Sequence, residues 1–243
     1  MHVLLVHGAF HDERCWDALR PHLESQGVEV SSVTLSGHGN RRDNAFRLTM
    51  QSYAQDVCDK AEQIGKPCVL LGHSMGGAVI SVAAQTRPEL FARMIYLTAF
   101  VPRMREKSLL ALRAVAPAKA MDNAVRLSLL KGSAKIDSQA AATVFYNTCT
   151  PEVAAQAASG LCLEPLRPSF SSLEWTADRL GMIPKYYVEC TGDRAIPIAG
   201  QRALQQHMDF AGVATLPSDH SPFLSMPQRL AEVIVRFASA SVR

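Results

Sequence analysis

A mostly parallel β-sheet covered by helices on both faces is the fold class this sequence predicts, and three observations carry the reading. Short, almost unbroken apolar runs recur through the first half, helix-like stretches separate them, and the pattern returns near the end of the chain. Strands buried on both faces read as continuous apolar runs, and parallel neighbours need a crossover connection, usually a helix.

In chain order, Val3–Val6 is the first expected strand, and Cys15–Gln26 follows as a helix-like segment. Val28–Leu35 places Val28, Val30, Val33 and Leu35 around polar residues and reads as the second strand. Thr49–Ile64 is helix-like, Cys68–Leu71 an apolar strand, Ser74–Thr86 a helix stopped by Pro88, and Met94–Leu97 a further strand. From about Pro102 to Met182 the β-like runs vanish. Ala- and Leu-rich helical pieces replace them, broken by Pro117, Gly132, Pro151, Pro165 and Pro168. In Thr150-Pro151-Glu152 the threonine suits an N-cap and the proline the first helical position. Strand character resumes at Lys185–Cys190 and Val213–Leu216, with helix-like Gln201–Asp209 between them and a final amphipathic helix from Pro222 to about Ala238. The chain therefore reads as one domain, 1–243. Its core is 1–102 and 183–243, and a helical cap covers about 103–182, where a lid over a site would sit.

Composition narrows the function classes. Hydrophobic residues make up 48% of the 243 and charged residues 19%, enough to build one sizeable core. Twenty-five Lys and Arg against 22 Asp and Glu leave a net charge of +3, and the longest basic run is Arg41-Arg42. That balance offers no electrostatic footprint for nucleic acid or an anionic membrane. No apolar run approaches the ~20 residues of a membrane helix. The first residues, Met1-His2-Val3-Leu4, lack the basic region and cleavage pattern of a signal peptide. A soluble, cytoplasmic protein is expected. Its six cysteines contain no C-x-x-C pair and read as reduced thiols acting as small hydrophobes.

Chemistry concentrates at Gly72-His73-Ser74-Met75-Gly76-Gly77, a G-x-S-x-G pattern placed directly after an apolar strand and directly before a helix. A serine on so tight a turn is forced into a strained backbone conformation that lifts its hydroxyl above the sheet. The neighbouring glycines leave room for the flanking strand and helix. The helix N-terminus adds free N–H groups where an oxyanion would develop.

A serine hydroxyl needs a base, and the base an orienting acid. In this arrangement the partners follow in the order serine, acid, histidine. Of the remaining histidines, only His220 follows the last strand and precedes the last helix, in Asp219-His220-Ser221-Pro222. His207 lies in a helix-like stretch and reads as a surface residue. Asp193 stands just after the strand Lys185–Cys190 and is the leading acid. Its rivals are Glu189 within that strand, Asp209, and Asp219, which is too near His220 in sequence to reach its ring easily. The backbone N–H of Met75 and that of Ala9, in the loop after the first strand, are the candidate oxyanion donors. His7 and His11 flank a glycine in that loop with no third ligand nearby, so no metal is expected. Phe10, Phe100, Phe145 and Trp175 are candidates for lining an apolar substrate pocket.

These residues together resemble the α/β-hydrolase superfamily, in particular its branch of plant methylesterases, hydroxynitrile lyases and bacterial esterase relatives. The resemblance covers nearly the whole chain. It rests on His7-Gly8-Ala9-Phe10-His11 with Cys15-Trp16, Leu35-Ser36-Gly37-His38-Gly39, the Ser74 motif, Phe100-Val101-Pro102, Thr191-Gly192-Asp193 and Asp219-His220-Ser221-Pro222. It implies an α/β-hydrolase fold, a Ser74–Asp193–His220 triad, oxyanion donors at Ala9 and Met75, and no cofactor. Plant lyases of the branch carry a threonine where this chain has Gly8 and a lysine where it has Ser221, so hydrolysis of small carboxylic esters through an acyl-enzyme is favoured. A cyanohydrin lyase and a slow-turnover ligand receptor are the alternatives. A small-molecule ester is the expected partner, with homodimerisation left open.

Overall fold

The computed structural model describes residues 1–41 and 43–240. In chain order its strands are β1 (His2–Val6), β2 (Glu29–Val33), β3 (Cys68–His73), β4 (Phe91–Leu97), β5 (Val125–Ser128), β6 (Ser133–Ile136), β7 (Glu164–Pro165), β8 (Lys185–Cys190) and β9 (Gly212–Leu216). The helices are α1 (Arg20–Glu24), α2 (Met50–Ile64), α3 (Gly76–Thr86), α4 (Leu109–Val115), α5 (Lys119–Ala124), α6 (Ser138–Phe145), α7 (Pro151–Ser159), α8 (Ile198–Gln205), α9 (Pro222–Ser225) and α10 (Pro227–Ala238).

Six strands form the main sheet in the order β2-β1-β3-β4-β8-β9, and every ladder in it is parallel. The apolar runs explain why. In β1, Leu4 and Val6 join the core on one face, while Val3 and Leu5 join the core on the other. Leu70 and Val69 divide in the same way in β3, as do Tyr96 and Ile95 in β4. Both faces must therefore be covered. Buried residues of α2, α3 and α8 lie on the first face, and those of α1 and α10 on the second. The strand order reverses beside β1, so the loops after β1 and β3 leave the same sheet edge side by side, where sites collect in such folds.

Local chemistry sets the boundaries. Thr49 caps α2 by accepting Ser52 N–H, and the Ser52 hydroxyl accepts Thr49 N–H in return. Thr150 accepts Val153 N–H ahead of Pro151, so α7 begins where expected. Two expected helices are shorter. Cys15–Gln26 divides into a 3₁₀ turn, Glu13–Trp16, and α1, because Pro21 is tolerated only in a helix's first turn. The final helix breaks at Met226 into α9 and α10 because Pro227 opens the second.

The expected helical cap needs a larger correction. Residues 103–182 contribute no strand to the main sheet, and α4 to α7 lie among them, but so does an antiparallel sheet ordered β5-β6-β7. Its hairpin turns at Gly132, φ +58°. Ala134 and Ile136 of β6 pack with Ala141, Val144 and Phe145 of α6 and with Phe10 and Ala195 from the sheet loops, which seats this segment on the sheet's C-terminal edge.

Candidate active site

β3 delivers Ser74 at φ +55°, a left-handed conformation rare for a residue with a side chain. Close packing around it requires glycine: a Cβ on Gly72 would lie 2.5 Å from Gly76 O, and one on Gly76 would lie 2.7 Å from Val6 O. This conformation is also why the expected helix from Ser74 starts at Gly76 instead. Ser74 O accepts Gly77 N–H and Phe100 N–H, both at 3.1 Å, which ties the turn to α3 and to the loop after β4.

Asp193 leaves the end of β8 and His220 the loop after β9. Asp193 Oδ2 and His220 Nδ1 are 2.7 Å apart, and both side chains are buried. Asp193 Oδ1 accepts Ala195 N–H at 2.7 Å and Ile196 N–H at 2.8 Å. The Thr98 hydroxyl donates to Oδ2. This carboxylate is held by donors on every side, and so it points one way.

The rival acids are engaged elsewhere. Glu189 meets Arg202, Gln205 and Thr215, and Asp209 is exposed. Asp219 Oδ1 accepts Ser221 N–H at 3.0 Å and its Oδ2 accepts Thr148 N–H at 2.9 Å, so it braces the His220 loop and the chain before α7. His207 lies beyond α8, with Nδ1 2.8 Å from Val101 O.

Ser74 and His220 open onto one cavity of about 550 Å³, with Ala9, Met75, Phe10, Phe100 and Phe145 in its wall. The Phe145 ring stacks on His220, centroids 5.3 Å apart. Leu109, Met121, Val125 and Leu127 bring carbon from the segment above. Trp175, expected in this wall, is not there. Its Nε1–H donates to Pro102 O at 3.0 Å and its N–H to Met104 O, which buries it in the main core where 103–182 rejoins the sheet.

Among the described residues neither Ala9 N–H nor Met75 N–H donates to a protein acceptor. Gly8 makes the approach possible: a Cβ there would lie 2.8 Å from Ser74 Cβ and 2.9 Å from His73 Nδ1. His7 and His11 are not placed as ligands. His7 Nε2 accepts Leu35 N–H and its Nδ1 faces Gly8 O, while His11 is taken by Ala9 O and Tyr146 Oη.

Three participants carried no sequence signal of their own. Thr98 orients Asp193. Glu164 reaches the cavity wall from β7. His73 Nε2–H donates to His220 O at 2.8 Å, and since that oxygen only accepts, the proton must sit on Nε2. Burial, then the neighbouring His220, pushes the His73 pKa well below its ordinary value, so its ring is a neutral strut under His220.

A model described as "Alpha/beta hydrolase family" matches residues 3–233. The chain belongs to this family. Among curated relatives of this α/β-hydrolase, a pyrethroid hydrolase of Sphingobium wenxiniae is 32% identical over 98% of this chain and 88% of its own length. Salicylic acid-binding protein 2 of Nicotiana tabacum is 28% identical over 98% of this chain and 96% of its own. The crystal structure of a pyrethroid hydrolase from Sphingobium faniae superposes with a TM-score of 0.83 at 28% identity, covering 99% of this chain and 98% of that one.

Proposed function

We propose that this α/β-hydrolase cleaves small, uncharged carboxylic esters through an acyl-enzyme on Ser74. The observation that carries the reading is the shared cavity: a serine hydroxyl on a left-handed strand-to-helix turn faces the same space as a histidine whose far nitrogen is 2.7 Å from a buried carboxylate. Ser74 Oγ attacks the ester carbonyl as His220 takes its proton, and the oxyanion that forms is met by Ala9 N–H and Met75 N–H. His220 then protonates the leaving alcohol, and afterwards draws a proton from the water that releases the acid. Asp193 keeps the Nδ1 proton of His220 in place and stabilises the imidazolium.

The cavity wall supports the substrate class. It is mostly carbon, and its cation, Arg113, is paired at 2.6 Å with Asp122 at the outer end. Among the described residues of this wall, no unpaired cation is left to greet a substrate carboxylate. The relatives named as hydrolases favour the same chemistry. The test is acid release from a panel of neutral aryl and methyl esters beside a cyanohydrin, with Ser74→Ala as control. Ester hydrolysis that falls by about 10⁴-fold or more in the variant is expected. Cyanohydrin cleavage outpacing every ester would replace this reading with the lyase.

A further inference from the structure

The peptide group joining Ala9 to Phe10 is gripped at both ends. Its carbonyl lies 2.8 Å from His11 Nδ1, and its N–H donates to Glu164 Oε2 at 3.1 Å. Phe10 sits at φ +65°, a conformation bulky residues rarely adopt and that persists only where the surroundings over-determine it. The Phe10 carbonyl accepts Cys162 N–H at 2.7 Å. Cys162 and Glu164, with one residue between them in the inserted segment, therefore hold Phe10 from both sides.

Glu164 is itself fixed. It lies on β7 opposite Ala134 and is buried. Its Oε2 is 2.8 Å from His38 Nε2, and its Oε1 accepts the Tyr53 hydroxyl at 3.5 Å. His38 Nδ1 faces Ser36 O at 3.1 Å. A carbonyl and a carboxylate only accept, so both ring nitrogens of His38 carry protons. Burial is the largest single influence and opposes that imidazolium, but the Glu164 charge, its hydrogen bond and the backbone contacts at Ser36 and Leu35 together outweigh it and raise the His38 pKa. The carboxylate thus collects donors from the chain after β2, from α2 and from the loop after β1. Its charge is also cancelled before it can oppose an oxyanion nearby.

We propose that Glu164 is a positioning residue that ties the inserted segment to the loop after β1 and thereby aims Ala9 N–H at the developing oxyanion. The proposal rests on the serine-esterase reading above. Without the Glu164 bond, Phe10 is free to relax to negative φ. That rotates the Ala9–Phe10 peptide and turns the neighbouring amide with it. The substrate's ground state needs this donor little, the transition state much, so the loss belongs in kcat.

The experiment compares Glu164→Ala and Glu164→Gln on a neutral aryl ester, after fluorophosphonate labelling and Ser74→Ala have established that turnover depends on Ser74. Glutamine keeps an acceptor oxygen for Phe10 N–H, and alanine does not. Glu164→Ala should lower kcat by about 10–100-fold with KM within a factor of about 3, and weaken a boronic acid inhibitor to match. Glu164→Gln should restore most of kcat. If the alanine variant fails to fold around an unpaired His38, the double variant Glu164→Ala with His38→Leu removes that charge too and should show the same kcat loss. Unchanged kcat in a folded alanine variant, a loss confined to KM, or a glutamine variant as slow as alanine overturns the proposal. Activity surviving Ser74→Ala would instead overturn the serine-esterase reading, and the proposal with it.

Discussion

Asp193 and Asp219 are both buried and both serve the His220 loop, yet substitution should separate them. In Asp193→Asn the amide oxygen still accepts Ala195 and Ile196 N–H, which leaves Nδ2 facing His220 Nδ1. The imidazole must then carry its proton on Nε2, where it cannot take one from Ser74. A fall in kcat of about 10³–10⁴-fold with little change in KM is expected from steady-state kinetics. Asp219→Asn removes an acceptor from Thr148 or Ser221 N–H, so its cost should appear in the thermal midpoint, as about 1–3 kcal/mol, far more than in kcat. Gly8→Ala tests the close approach of the two loops. Its Cβ presses on Ser74 Cβ, and kcat should drop by about 10-fold or more with the fold retained by circular dichroism. Introducing the lyases' threonine at this position would meet the same obstruction. Ser74 was legible in the sequence because its conformation demands glycines at fixed neighbours, and Asp193 and His220 because each follows a recognisable strand. Thr98, His73 and Glu164 were not, because each acts through a contact formed only when distant segments meet.

Among the elements, legibility followed length and burial. The main-sheet strands announced themselves through apolar runs that serve both faces. β5 and β6 are four residues each, with only Val125, Leu127 and Ala134, Ile136 alternating around Gly132, and β7 is two residues ending in a proline. So little periodicity does not outweigh Ala- and Leu-rich surroundings, and the sheet emerges only from packing. This small sheet supplies part of the cavity wall as well as Glu164. Leu127 is 66% exposed yet lines the cavity, so it stands at the rim. Leu127→Glu places a carboxylate beside an entering apolar ester without disturbing a packed core. It should raise KM for such esters by about 3–10-fold while the thermal midpoint stays nearly constant, as substrate titration and a melt would show.

Across the whole molecule, buried histidines tie the fold to pH. Burial is the leading cause holding His7, His11 and His73 below their ordinary pKa, with His11 lowered from 6.5 to about 4. In the unfolded chain these rings take up protons near 6.5, while the folded state refuses them, so stability is lost as pH falls through the window between those values. His11 alone contributes on the order of 3 kcal/mol across it. His38 works in the opposite sense. Its pKa is raised, so its contribution is fully present below 6.5 and fades as pH climbs through the folded value. The thermal midpoint should therefore fall between about pH 6.5 and 4, and His11→Gln should flatten that fall. The proposed chemistry turns on one step, acyl transfer through Ser74. Mixing the protein with excess nitrophenyl ester, quenching in acid within the first turnovers and weighing the intact chain probes that step. A mass increase equal to the acyl group, located on the peptide containing Ser74 and absent from Ser74→Ala, is the predicted result. Rapid ester turnover with Ser74 unmodified, or an acyl group carried by another residue, would contradict it.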